Sequence, residues 1–422
     1  MFYSGAFIAI LSGSITNNCD ATALQQDSDA AIVKLIFTLT YALFLGLLML
    51  RWKRVMSMIG KNLSIIILLG LALLSCLWAE DFSISLNRGI ALFGTTLFGL
   101  YLGTRYPLQR QLQLLGWAFG LAGILSMVFA VGLPSIGTMC SHEGAWRGVY
   151  SHKNTLGKVM ALSTITFMLL LKSKGQKILP WLGLSGSLTL ILFSTSKSSL
   201  VIAIILLVLF PIYQSLRLRQ DVLAPAILST VVLLFGSFIL LLSNAESILL
   251  SLGRDATLTG RTELWVRSLE MIKRRFFLGY GYQNFWGEWS SPGGYIWQAI
   301  GWKAPNAHNG LLELALDLGL LGVVVFLSGF LINLVRSFFW IRLSKDSAGL
   351  LPLIYLSFLI LMNITESTLL ERNSIFWALY VAISLSIITP LKGSNLEIKD
   401  KSAEVYFSSN QNNLTANFIE KK

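Results

Sequence analysis

The stretch Ala31–Leu50, AIVKLIFTLTYALFLGLLML, carries a single charge, Lys34. As an α-helix of about 20 residues it is about 30 Å long, the thickness of a bilayer's hydrocarbon core. The apolar run is continuous and does not alternate, so it reads as a helix and not as a barrel strand. Runs of the same kind recur at 62–79, 111–131, 222–243 and 374–390. The composition agrees: 54% of residues are hydrophobic and 13% are charged, against about 25% charged in soluble domains. The chain reads as an all-α polytopic membrane protein.

Further runs at 3–16, 88–105, 154–171, 179–195, 198–214, 309–337 and 348–365 bring the expected count to about twelve transmembrane helices. Segment 3–16 is read as a span, because polar Asn17-Asn18-Cys19-Asp20 follows it and no cleavage site is evident. Arg51, Lys53, Arg54 and Lys61 fall on one side of this count, as do Arg105 and Arg110, Lys172, Lys174 and Lys177, Arg217 and Arg219, and Arg336, Arg342 and Lys345. The positive-inside rule makes that side cytoplasmic. The expected organisation is then helices 1–9 with short loops over 1–243, a large extracytoplasmic loop between helices 9 and 10 over 244–308, helices 10–12 over 309–390, and a disordered cytoplasmic tail over 391–422.

The net charge of +12 comes mostly from topology-setting loops, so no nucleic-acid partner is implied. No duplicated half is evident, which disfavours a carrier built from repeats. Cys19, Cys76 and Cys140 show no metal spacing; Cys19 and Cys140 share the outer side and could pair, but the reading adopted is unpaired small hydrophobes. There is no Walker loop or dinucleotide fingerprint, so no nucleotide cofactor is expected.

The long polar interruption opens with Gly260-Arg261-Thr262-Glu263-Leu264-Trp265 and closes with Pro305-Asn306-Ala307-His308-Asn309-Gly310. Leu264, Trp265, Leu269 and Ile272 have helical spacing, and Glu263–Arg267 and Glu270–Arg274 are i,i+4 pairs. An amphipathic helix on the outer membrane surface is expected there. The aromatics between Phe276 and Trp302 suit an interface or stacking on sugar rings.

Arg261, at the start of that helix, suits phosphate oxygens; the bland alternative is a surface salt bridge. His308 can accept a proton from a hydroxyl; a capping histidine is the alternative. Arg147, His152 and Lys153 concentrate positive charge in the other large outer loop, where basic residues run against the topological bias. Lys197, in the turn Ser194–Ser199, either snorkels or completes an anion site. Glu313 and Asp317 follow His308 into the membrane, where buried acids are costly and usually paired or functional. Asn154 and Asn309 flank the two histidine motifs.

Three signatures in this order resemble the O-antigen ligase and Wzy-type polysaccharide polymerase superfamily: Arg147-Gly148 with Ser151-His152-Lys153-Asn154, the turn around Lys197, and Gly260-Arg261-x-x-x-Trp265 with Pro305-Asn306-Ala307-His308-Asn309. Gly279-Tyr280-Gly281 and Leu318-Gly319-Leu320-Leu321-Gly322 fit as well. Many relatives carry Arg where this chain has Lys197, which keeps the charge and loses the fork. The resemblance implies a metal-independent glycosyltransferase at the extracytoplasmic face of a bacterial plasma membrane. The implied donor is an oligosaccharide on a polyprenyl diphosphate, and the acceptor is a glycan or glycolipid hydroxyl. Membrane lipids and other polysaccharide-assembly proteins are further implied partners, and no cofactor or metal is. It implies His308 and Arg261 as catalytic, Arg147, Lys197, Lys153 and His152 as diphosphate-binding, and Asn154, Asn309 and Glu313 as supporting. The competing reading is a transporter of a lipid-linked sugar or other anion.

Overall fold

The computed structural model describes residues 1–12, 31–140, 144–217, 261–344 and 346–388, with 225, 228, 229 and 232. Apart from 225, 228, 229 and 232, the expected helix at 222–243 lies outside the described residues, as do the loop start at 244–260, Cys19 and the tail from 391. The longer helices are α1 (Ala31–Met49), α2 (Trp52–Ile59), α3 (Leu63–Leu74), α4 (Phe82–Arg105), α5 (Leu108–Gly132), α6 (Lys153–Lys172), α7 (Ile178–Phe193), α8 (Lys197–Ser215), α9 (Arg261–Arg274), α10 (Pro292–Ile300), α11 (Gly310–Leu343), α12 (Leu351–Thr365) and α13 (Ile375–Ser386). Among the described residues the only sheet pairs Thr138 with Trp146 and Met139 with Ala145.

Six helices among the described residues are long and apolar enough to cross a membrane, and α2 with α3, bent by 95°, makes up to seven. The protein is thus a multi-pass membrane protein; among the described residues the expected twelve spans are not all present as single straight helices. One reason is at the start of the chain. Residues 2–12 form a 3-10 turn, Phe2–Ser4, and a four-residue helix, Ile8–Leu11, and not a straight span. Tyr3 stacks on Phe98 with centroids 4.4 Å apart, and the Phe7 amide donates to the Val149 carbonyl at 2.9 Å. The segment is thereby folded into the bundle. Two other apolar helices, α7 and α13, are shorter than a full crossing.

The interior of the bundle is made by α6, α12 and α13; all of α13 is buried. Its partner α4 reaches it through Gly99 and Gly103. A Cβ at these positions would lie 2.6 Å from the Ala378 carbonyl oxygen and 2.8 Å from that of Ala382. Small residues of this spacing let two backbones pack closely where lipid offers no hydrophobic drive.

Contacts at the two ends show how the helices align. At one end the Arg336 guanidinium meets Asn62 Oδ1 at 2.9 Å, joining the far part of α11 to the start of α3. At the other, Asn309 caps α11 and donates to the Ile364 carbonyl at the close of α12. The starts of α6 and α9 and the end of α12 also meet at this second end, through Glu366.

Helix α11 is broken at Gly319, which adopts φ 63° and ψ −162°. The freed backbone groups are taken up by the segment after α9. The Tyr280 amide donates to Leu316 O at 2.7 Å, Gly281 to Asp317 O at 3.0 Å, and the Leu320 amide to Phe276 O at 2.8 Å. A broken helix is tolerated at membrane depth only when its polar backbone is satisfied in this way.

Candidate active site

His308 sits in the linker between α10 and α11, and the surrounding contacts hold it tightly. Three indoles and one carboxylate fix the segment before it. Trp297 Nε1 donates to Ala304 O at 2.8 Å, and Trp265 Nε1, from α9, donates to Ala307 O at 2.9 Å. The Ala307 amide donates to Glu313 Oε2 at 2.7 Å, and Trp286 Nε1 donates to the same carboxylate at 3.0 and 3.1 Å. The peptide before His308 is therefore gripped from α9 and from α11 at once. The His308 amide donates to Asn306 Oδ1 at 2.9 Å, and Asn309 Oδ1 accepts from Leu311 and Leu312. Under these constraints His308 adopts φ 48°, in the left-handed region. Such a conformation persists in a non-glycine residue only where its surroundings over-determine it.

Part of the aromatic loop is structural. Tyr280, Phe285, Trp286 and Trp297 are buried with Leu264 and Met271 of α9 in a small second core. They build the support of His308, whereas Phe276, Phe277, Trp289 and Tyr295 are exposed. Leu264, Met271 and Ile272 of α9 pack into that core, while Val266 and Leu269 are exposed. Of the two expected ion pairs, Glu263–Arg267 is present and Glu270 turns to Arg267 instead of Arg274. Arg267 pairs with Glu263 at 3.9 Å and with Glu270 at 3.2 Å, while Arg274 lies over the Tyr295 ring at 5.1 Å.

Arg261, at the start of α9, pairs with Glu366 at 3.9 Å. The same Glu366 Oε1 accepts from Asn154 Nδ2 at 3.3 Å. One carboxylate therefore joins the first turns of α6 and α9 to the end of α12. His152 caps α6, its Nδ1 accepting from the Asn154 amide at 3.1 Å. The Lys153 ammonium donates to Thr195 Oγ1 at 3.2 Å, which sets α6 against the turn before α8.

The electrostatics of the cluster follow from this grouping. Burial, then the charges of Arg261, Lys158 and His152, push the His308 imidazolium down to about 3. His308 is a neutral base near pH 7. Its Nδ1 is buried and has no hydrogen-bond partner among the described residues. Burial also lowers the Arg261 guanidinium, and Glu366 opposes that effect. Among the described residues no group of three or more His, Cys, Asp or Glu could hold a metal ion.

The sequence-predicted residues thus divide. His308, Arg261, His152 and Asn154 are brought together. Glu313 and Asn309 act on His308 through the backbone on either side of it. Lys153 reaches the turn before α8, and Lys197, the first residue of α8, is exposed beside that turn. Arg147 is buried, and its Nε donates to the Ile136 carbonyl at 2.8 Å, which anchors the loop it belongs to. Sequence reasoning missed Glu366 and Lys158. Glu366 was legible as an acid closing the apolar run 348–365; Lys158 was legible as a charge inside the run 154–171.

Residues 182–327 match the family model of O-antigen ligase. The match takes in Lys197, Arg261, His308, Asn309 and Glu313, and leaves Arg147 to Asn154 outside. The chain is also 26% identical over 300 residues to the exopolysaccharide production protein ExoQ of Rhizobium meliloti (strain 1021), covering 68% of this chain and 67% of that protein. The resemblance to the O-antigen ligase and Wzy-type superfamily holds. Cys140 is disulfide-bonded while Cys76 is free and buried, so the reading of all three cysteines as unpaired is corrected at Cys140.

Proposed function

We propose that the protein is a membrane glycosyltransferase of the polysaccharide polymerase or ligase type. It moves oligosaccharide from a polyprenyl diphosphate onto a glycan hydroxyl at the outer face of a plasma membrane. The observation that carries this reading is the neutral imidazole of His308, with a buried, unpartnered Nδ1, next to Arg261 and Lys158. A neutral base beside fixed cations suits a reaction that takes a proton from one reactant and releases an anion from the other.

In the reaction the acceptor oxygen bonds to the anomeric carbon of the donor. The bond from that carbon to the phosphate oxygen breaks, and the diphosphate leaves with the electron pair. The acceptor proton passes to the His308 imidazole. Arg261 stabilises the charge growing on the leaving phosphate. Lys153 and Lys197, on either side of the Thr195 turn, extend the positive field toward the distal phosphate. The outer-face assignment is supported by charge. The site end carries the starts of α6, α8, α9 and α11, while Lys172, Lys174, Lys177, Arg217 and Arg342 cluster around the opposite helix ends. Exopolysaccharide polymerisation is favoured over transfer to a lipid core, because the curated relative is an exopolysaccharide production protein.

The test is purified protein in liposomes with a polyprenyl-diphosphate-linked oligosaccharide. Release of free polyprenyl diphosphate and growth of glycan are expected, and His308→Ala and Arg261→Ala should each cut the rate by about 10²–10⁴. Donor that crosses the membrane intact, with no diphosphate released, makes the protein a carrier. In cells lacking the gene, accumulated single repeat units mean polymerase; long polymer left on its lipid carrier means ligase.

A further inference from the structure

Lys158 lies on α6 one turn beyond Asn154 and is only 8% exposed. A buried ammonium is costly without a partner. Among the described residues Lys158 makes no hydrogen bond or ion pair. Its ammonium stands over the Phe376 ring of α13 at 5.7 Å from the centroid, and its charge acts on His308. A ring face offsets only a fraction of the cost of burying an ion. The carboxylate of the pocket, Glu366, is engaged with Arg261 and Asn154. Arg261, Lys158 and Glu366 together leave an excess positive charge in a low-dielectric pocket, which is the condition for capturing an anion. Lys158 is also set deeper than the rim: five residues along a helix place it about 7.5 Å below Lys153.

We propose that Lys158 is a donor-binding residue, its ammonium forming the floor of a phosphate pocket whose wall is Arg261, so that a phosphate oxygen sits between the two cations next to His308. This rests on the glycosyl-transfer reading above. It links the two halves of the reaction. Arg261, Lys158 and His152 oppose a proton on His308, while Glu366 and Glu313 are the nearby acids. A bound phosphate neutralises the cations, so His308 becomes a stronger base once the donor is in place.

The test uses full-length protein in nanodiscs with Lys158→Met and Lys158→Arg, and inorganic pyrophosphate as the probe. Lys158→Met should raise both the donor KM and the pyrophosphate inhibition constant by about 10–100-fold. Lys158→Arg should restore most of the loss. A folded Lys158→Met with unchanged KM and inhibition constant overturns the proposal and leaves Lys158 as a packing charge on Phe376. If Lys158→Met does not fold, NMR titration of His308 in the wild-type protein decides. Pyrophosphate must raise the proton affinity of His308, and the absence of a shift overturns the proposal. Failure of the glycosyl-transfer reading looks different: wild-type protein then turns over no donor, while the pyrophosphate titration of His308, compared between wild type and Lys158→Arg, still reports on Lys158.

Discussion

Lowering the pH should destabilise this protein through His308, by an amount its surroundings set. The imidazolium is pushed from the usual 6.5 down to about 3 by burial and by Arg261, Lys158 and His152. The unfolded chain therefore binds a proton between those two values while the folded chain does not. The stability from a neutral His308 is fully present above pH 6.5 and is lost as pH falls toward 3. At pH 4.5, about two pH units below the ordinary histidine value, the loss reaches about 2.7 kcal/mol. Partial exposure of the ring reduces this to about 1.5–2.5 kcal/mol. Carboxylates also titrate in this range, so the assay compares wild type with His308→Asn. Both are melted in nanodiscs at pH 7.5 and pH 4.5. The gap between them should shift in favour of the variant by a few degrees on going to pH 4.5. Parallel pH dependences would refute the argument that buried cations hold His308 neutral.

Two other perturbations test the scaffold. Glu366→Gln keeps an acceptor for Asn154 but leaves Arg261 without its counter-charge; it should cost about 1–3 kcal/mol of stability and lower transfer about 10–100-fold, and unchanged values for both would remove Glu366 from the site. Gly319→Val puts a Cβ 2.3 Å from the Phe277 carbonyl group at φ 63°, so it should cost more than about 3 kcal/mol and cut transfer by shifting the start of α11; a wild-type melting curve would mean the break in α11 is not required.

Helix class and the identity of the loop motifs were legible because each depends on local chemistry. A run such as Ala31–Leu50 has no other way to satisfy its backbone in lipid. Gly319 was visible in its motif, but its role was not. That a glycine breaks α11 follows from the backbone of residues 276–281 lying against it, and nothing in the sequence of α11 announces that neighbour. Of the aromatics between Phe276 and Trp302, the bracing role of Trp286 and Trp297 was hidden for a related reason. An indole suits an interface, a sugar ring or a core equally well, and only the positions of Ala304, Ala307 and Glu313 show that these indoles brace a linker.

The sequence by itself determined that the chain is a helical membrane protein, and it marked candidate residues in two loops and one turn. Those properties are sums over neighbouring residues: hydropathy along a span, charge along a loop. Only the tertiary structure decided which of those residues meet. Glu366 joins residues 212 and 105 positions away in the chain, and His308 is shaped by Trp265 and Glu313 from either side. Such convergence depends on how helices pack end to end. Packing is settled by small residues such as Gly99 and Gly103 and by a single break at Gly319, none of which carries a charge or a reactive atom. The fold class was therefore written in the bulk of the sequence, and the site in contacts between segments that local patterns do not connect.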